Sequence, residues 1–155
     1  MKVEDVTNRS VKSAHPNDTL NHAARLMWEN TCGAVPVVDD DMKPVGFVTD
    51  RDICMAAYTQ GKPLRDIRVE AAMAHKVVTC HPEDDLESAM NLMAEKGLRR
   101  LPVVGRDGKL VGILSLDDLA CEAGRSLRGG FNQDLRNRLA EVSIAICRGR
   151  VRARV

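Results

Sequence analysis

The sequence predicts an α+β fold: two tandem β-α-β-β-α units packed as a pseudo-two-fold pair, with a helical, basic segment behind them. Three observations predict it. The chain aligns with itself at an offset of 66 residues, without a gap, from Val3 over Val69 to Cys54 over Ala120, and 19 of these 52 positions are identical. Within each copy, short β-branched runs alternate with stretches of helical apolar spacing. The length, 155 residues, suits two small cores that are each too small to be comfortable alone.

Each unit reads in the same order. Val11–Ala14 and Val77–Cys80 are short, rich in β-branched residues and closed by His-Pro, which predicts brief strands. Helices follow, with Asp18 and Asp84 where an N-cap is wanted. Leu20, Ala23, Ala24 and Met27 recur at helical spacing in one copy, and Leu86, Ala89, Met90 and Met93 in the other. Such methionine-rich stripes are read as gap-filling core. The runs VPVV and LPVV are read as buried strands, and the turns Asp39–Asp41 and Gly105–Gly108 lead into return strands at Pro44–Thr49 and Leu110–Ser115. Each return strand hands over at once to a helix starting near Asp50 or Leu116. The expected organisation is therefore residues 1–62 as the first repeat with its linker, 63–124 as the second repeat, and 125–155 as an amphipathic helix with a basic tail.

Composition excludes several classes. Hydrophobic residues at 44% and charged residues at 29% describe a globular chain, and no apolar run approaches bilayer length. The start MKVEDVTNRS lacks the apolar stretch of a secretory signal, so the cytoplasm is the expected location. The five cysteines are odd in number, scattered and never spaced as CxxC; they are expected to be small buried apolar side chains and not a disulfide framework or zinc site. Aromatics at 3% remove the stacking platforms of single-stranded nucleic-acid binders. Charge is uneven: from Arg125 to Val155 eight arginines stand against Asp134 and Glu141, a net of +6 on a chain whose total is +1. His15, His22, His75 and His81 have no Cys or Glu at ligand spacing, and no Ser-His-Asp or Cys-His arrangement is present. The chain is expected not to be an enzyme and to require no cofactor.

The repeated chemistry lies at the strand-to-helix junctions, Gly46-Phe47-Val48-Thr49-Asp50-Arg51-Asp52 and Gly112-Ile113-Leu114-Ser115-Leu116-Asp117-Asp118. A Thr or Ser hydroxyl at a helix start lies beside unpaired backbone N–H groups, a setting for phosphate oxygens. Asp52 or Asp118, three residues on, can accept both hydroxyls of a ribose. Ala34, Val35 and Pro36, with counterparts Leu101 and Pro102, can form an apolar slot for a flat base. The same spacing is also a helix-capping pattern. What favours a ligand is its recurrence at the repeat offset in the same strand-helix context.

These junctions and the preceding hPVV segments make residues 3–124 resemble the CBS family, the domain first known from cystathionine β-synthase and commonly found as a tandem pair. The resemblance implies a non-catalytic regulatory module that binds an adenosine-containing ligand in the clefts of paired domains: AMP, ADP or ATP, with S-adenosylmethionine possible. It implies that the backbone near Ser13 and Thr79 meets the adenine edge, and that Arg99 and Arg100 reach toward ligand phosphates. Arg51 is the extra cation of the first repeat, so the two sites are expected to differ in preference for phosphate number. It further implies a homodimer through helix faces, Met55–Tyr58 or Cys121–Ala123, acting on a protein target in trans.

Beyond Gly124 the resemblance stops. Leu135, Leu139, Val142 and Ile146 mark one side of a short helix, and RGRVRARV follows. The arginines suit nucleic acid, an acidic surface or an acidic partner; the favoured reading is a helix packed on the module or its dimer mate, with a fraying end. The alternatives to a ligand sensor are therefore a ligand-free interaction scaffold and a nucleic-acid-binding regulator.

Overall fold

The computed structural model describes residues 1–125 and 133–152, with side chains described as far as residue 149. The elements run α1 (Leu20–Glu29), β1 (Ala34–Val38), β2 (Pro44–Thr49), α2 (Asp50–Gln60), α3 (Leu86–Lys96), β3 (Arg100–Val104), β4 (Leu110–Ser115), α4 (Leu116–Arg125) and α5 (Gln133–Arg152). Short 3-10 turns stand at Val3–Asp5, Leu64–Asp66 and Val69–Ala71. The fold is α+β, with β1 paired to β2 and β3 to β4 in two small sheets.

The first compact unit comprises Ser10–Val78 with Arg106–Leu110. Its hairpin is antiparallel, with Ala34 opposite Thr49, Val35 opposite Val48 and Pro36 opposite Phe47. Leu20, Ala23 and Met27 turn the inner face of α1 toward Val35, Val37 and Val48, and Ile53 and Ala56 of α2 complete that core. Two residues from beyond α2 belong to it as well: Ile67 and Val69 are buried there, tied by Leu20 N–H donating to the Ile67 carbonyl at 2.8 Å and Val69 N–H donating to the Asp18 carbonyl at 2.8 Å. The following strip covers β2, where Phe47 and Ala74 exchange backbone hydrogen bonds of 3.0 and 2.8 Å.

The second unit comprises Met1–Arg9, Thr79–Gly105 and the chain from Val111 onward. It repeats the first in detail. Asn8 and Ile113, the counterparts of Ala74 and Phe47, exchange hydrogen bonds of 3.0 Å each way. The approach is so close at Gly112 that a Cβ there would lie 2.3 Å from Thr7 Cγ2, which is why this position carries no side chain. Each repeat's unit therefore holds the segment that precedes the other repeat in sequence. To this unit α5 is added: Leu135, Val142 and Ile146 are buried, and the helix packs on α3 and α4. The favoured reading of this stretch as a helix packed on the module agrees with that placement. The basic end from Arg150 onward lies outside the described side chains, as do residues 126–132.

Three sequence expectations are corrected. The brief strands at Val11–Ala14 and Val77–Cys80 reduce to one bridge each, Ala14 to Val37 and Cys80 to Val103, both parallel. In the first, Ala14 N–H donates to the Pro36 carbonyl at 3.0 Å and Val38 N–H to the Ala14 carbonyl at 2.9 Å; in the second, Cys80 N–H donates to Pro102 at 3.1 Å and Val104 N–H to Cys80 at 2.9 Å. The next rung in one direction needs an N–H from Pro36 or Pro102, and in the other an N–H from Pro16 or Pro82. Proline has none, so the ladder stops after one residue.

The N-caps are Thr19 and Asp85, not Asp18 and Asp84. The two aspartates instead close the His-Pro turns, accepting from His15 N–H at 2.7 Å and His81 N–H at 2.8 Å. Of the five thiols, all free, Cys80 alone is buried, whereas Cys54, Cys121 and Cys147 are exposed and Cys32 is half-buried. Cys54 and Cys121 sit on solvent-facing turns of amphipathic helices, where a small side chain is tolerated without being covered.

Candidate functional site

The junctions fold alike. At the start of α2, Thr49 N–H and the Thr49 hydroxyl both donate to Asp52 Oδ2, at 2.9 and 2.7 Å, and Asp52 N–H donates back to Thr49 Oγ1 at 3.2 Å. At the start of α4, Ser115 N–H and hydroxyl donate to Asp118 Oδ2 at 2.9 and 2.5 Å, and Asp118 N–H donates to Ser115 Oγ at 3.1 Å. Both are capping boxes, so the capping pattern weighed in the sequence is real. It uses one oxygen of each carboxylate. Oδ1 of Asp52 and of Asp118 makes no hydrogen bond among the described residues, so each junction presents one carboxylate oxygen held in place by its neighbour's bonds. A carboxylate only accepts, hence the hydroxyl proton is committed to it. At the first junction the backbone is committed as well, with Asp50 N–H donating to the Gly33 carbonyl at 3.1 Å and Arg51 N–H to Asp50 Oδ1 at 2.7 Å.

In the first unit several predicted residues come together. Ala34 is the register partner of Thr49, and Ser13 immediately precedes Ala14, whose N–H donates to the Pro36 carbonyl. Ser13, Thr49 and Asp52 are half-buried, Ala34 and Pro36 are buried, and Arg51 is exposed on the first turn of α2. In the second unit Thr79 is half-buried beside Cys80, whose N–H donates to the Pro102 carbonyl, Ser115 is buried, Asp118 is half-buried and Pro102 is buried. Val35 and Leu101, exposed by 1% and 0%, are core. Their side chains back the strand and do not line a slot.

Arg99 and Arg100 lie at the start of β3, with the Arg99 carbonyl accepting from Leu116 N–H at 3.1 Å, which holds them against the first turn of α4. Neither guanidinium has a hydrogen-bond or ion-pair partner among the described residues. Together with Leu116, Asp117, Leu139 and Ser143 they border a cavity of about 290 Å³. The sequence reading places the arginines at a ligand but passes over Ser143. Its one available signal is its position four residues after Leu139, a hydroxyl on the side of a helix that faces the protein. A larger cavity, about 500 Å³, lies between Met1, the start of α3 and α5, and none of the predicted site residues borders it. No group of three His, Cys, Asp or Glu side chains among the described residues is placed to hold a metal ion.

The family model described as the CBS domain matches twice, over residues 3–58 and 64–123. The chain belongs to the CBS domain family. Among its relatives, CBS domain-containing protein YhcV of Bacillus subtilis is 39% identical over 118 residues, 76% of this chain and 82% of that one. Protein MK0525 of Methanopyrus kandleri is 33% identical over 119 residues, which span 77% of this chain and 61% of the relative. Among solved structures, the CBS domain pair of protein MJ0100, in complex with 5′-methylthioadenosine and S-adenosyl-L-methionine, superposes with a TM-score of 0.72 at 25% identity, covering 81% of this chain and 98% of that one. As in that pair, two CBS domains here account for the sheets and for α1 to α4, and α5 is an addition to the second. No helix among the described residues is long and apolar enough to cross a membrane.

Proposed function

We propose that the chain is a non-catalytic regulatory module whose CBS domains bind an adenosine-containing ligand, with Asp52 and Asp118 accepting from the ribose hydroxyls. The observation that carries this reading is the pair of junctions in which the capping box takes Oδ2 and leaves Oδ1 without a partner among the described residues. The arrangement recurs at both junctions, each at the end of a return strand. The bound 5′-methylthioadenosine and S-adenosylmethionine of the MJ0100 pair support the ligand class. In this reading the backbone at Ser13 and Thr79 meets the base, which rests on Ala34, Pro36 and Pro102. In this reading the module works in the cytoplasm as a homodimer, and ligand binding changes a surface that a protein target reads in trans.

The test is a thermal-shift screen of the full chain with AMP, ADP, ATP, S-adenosylmethionine and 5′-methylthioadenosine. A ligand that binds only the folded state raises stability by about 2.7 kcal/mol at a hundredfold excess over its dissociation constant. One or more members should raise the melting temperature, and that rise should shrink in Asp52→Ala or Asp118→Ala. Both variants also lose a cap, which lowers the ligand-free melting temperature; the comparison is therefore between shifts, not melting points. A flat response across the panel sinks the proposal.

One observation favours a second reading, an interaction scaffold. Trp28 and Tyr58, the single Trp and single Tyr of the chain, are exposed by 87% and 81% on α1 and α2 of the first unit, with Met55 also exposed. In that case the flat screen would be accompanied by self-association or partner capture that Trp28→Ala abolishes.

A further inference from the structure

The cavity of about 500 Å³ at the start of α3 and α5 takes no part in the junctions. Its floor is apolar, made by the buried Leu86, Met90 and Leu135. Its rim is acidic. Asp85 and Glu87 border it from the start of α3, Asp134 and Glu141 from α5, and all four are exposed. Against these carboxylates stand the amino group of Met1 and the Arg138 guanidinium, which is already bound to Glu141 Oε2 at 2.6 Å. Glu87 and Asp134 have no ion-pair partner among the described residues. First-turn carboxylates complement the helix dipoles, which accounts for their presence at two helix starts. It does not account for their convergence on one apolar hollow of pocket size.

The chain carries the complementary charge at the other end of α5. From Arg148 to Val155 the sequence is RGRVRARV, with arginines alternating with small or apolar residues and no acid among them. Arginine stems and valines suit an apolar floor, and guanidiniums suit a carboxylate rim. The segment cannot reach its own cavity. α5 continues to Arg152, eleven residues past Glu141, a rise of about 16 Å away from the cavity. The three residues from Ala153 to Val155 span at most about 11 Å. A second copy brings the same segment without that restriction.

We propose that this cavity receives the arginine-rich C-terminal segment of a second copy of the chain. Each copy offers one cavity and one segment, so the exchange is reciprocal and closes into a pair with two-fold symmetry. Opposite charge supplies the specificity, and salt weakens it. The inference does not depend on the ligand reading. It gives the homodimer a contact specific to α5, distinct from the faces of α2 and α4.

The experiment is sedimentation equilibrium of the full chain at about 0.05 M and about 0.5 M salt, for the wild type and two charge-reversed variants. One variant reverses the segment, Arg150→Glu with Arg152→Glu. The other reverses the rim at two exposed positions, Glu87→Arg with Asp134→Arg. Circular dichroism confirms folding. The wild type should associate more tightly at low salt. Each variant alone should dissociate at least about tenfold more readily, because like charges then meet. An equimolar mixture of the two should recover wild-type association, since each segment again meets a rim of opposite sign. A pair formed only through the faces of α2 or α4 would leave both variants with the wild-type mass, which overturns the proposal. A wild type that does not associate at low salt, or a mixture that fails to recover, also overturns it. If nucleic acid occupies the segment instead, absorbance at 260 nm will sediment with the wild type and be lost from the segment variant, while the rim variant keeps the wild-type mass; that too overturns the proposal. Should the rim variant fail to fold, Glu87→Gln with Asp134→Asn replaces it and should weaken association, and unchanged association then overturns the contact. None of these outcomes bears on the ligand screen, whose result stands or falls separately.

Discussion

Two residues of the first repeat occupy backbone conformations that the second repeat gives to glycine. Thr31 has φ 51° where its counterpart Gly97 has 67°, and Met42 has φ 65° where Gly108 has 78°. Left-handed backbone costs an L-residue roughly 1–2 kcal/mol, more for a β-branched one. Glycine returns part of that through its freer unfolded chain. Thr31→Gly and Met42→Gly are each expected to stabilise the protein by about 0.5–1 kcal/mol, read as a higher denaturation midpoint at unchanged slope; a fall in midpoint would refute the strain. Cys80 makes a second residue-scale prediction. Burial, with a smaller push from the Asp84 charge, raises its thiol to about 12. Because the folded state holds this proton more tightly than the unfolded chain, the associated stability is present below about pH 9 and lost as pH rises toward 12. Chemical unfolding at pH 8 and pH 10.5 should show a steeper loss for the wild type than for Cys80→Ala. Thiol reagents at pH 8 should modify the exposed Cys54, Cys121 and Cys147 before Cys80.

Among the elements, α5 is the one whose role differs most from its appearance in sequence. Its burial is one-sided: Ile146 is exposed by 1% and Ile144, two residues away, by 51%. Ile146→Ala should cost roughly 2–4 kcal/mol of unfolding free energy, as large-to-small core changes do, whereas Ile144→Ala should stay within about 0.5. Equal small effects would mean that α5 is not docked in solution. Helices and hairpins were legible because each carries its own local signal: the 3.6-residue stripe of α1 and α3, the Pro-Val-Val runs of β1 and β3, and the junction motif that doubles as a cap. The first strands were misread because Val11–Ala14 has a strand's composition but meets a β1 that offers one usable rung. Asp18 and Asp84 were misread as N-caps because a turn-closing aspartate and a capping residue stand one position apart and look alike in sequence.

For the whole molecule, sequence segments and compact units divide the chain differently. Ile67 and Val69, beyond residue 62, are core residues of the first unit, and Met1–Arg9 clusters with the second. A fragment of residues 1–62 is thus expected to remain unfolded, and one of residues 10–78 to show helical circular dichroism and a thermal transition. A folded 1–62 would show that the linker segment contributes little. The candidate site divides in the same way. Thr49, Asp52, Ser115 and Asp118 could be found in the sequence because one local motif, repeated at a fixed offset, carries both fold and chemistry. Leu139 and Ser143 could not, since what makes them part of a cavity is their position opposite arginines some forty residues earlier.

Local spacing and its repetition are enough to specify the duplication, the element order of each unit, the CBS resemblance and the junction carboxylates. Tertiary structure alone decided the exchange of leading segments, the truncation of the first strands and the placing of α5 against Arg99 and Arg100. Each of these depends on which backbone donors and apolar faces meet in space, and free energies of burial and hydrogen bonding are properties of the meeting, not of either segment alone.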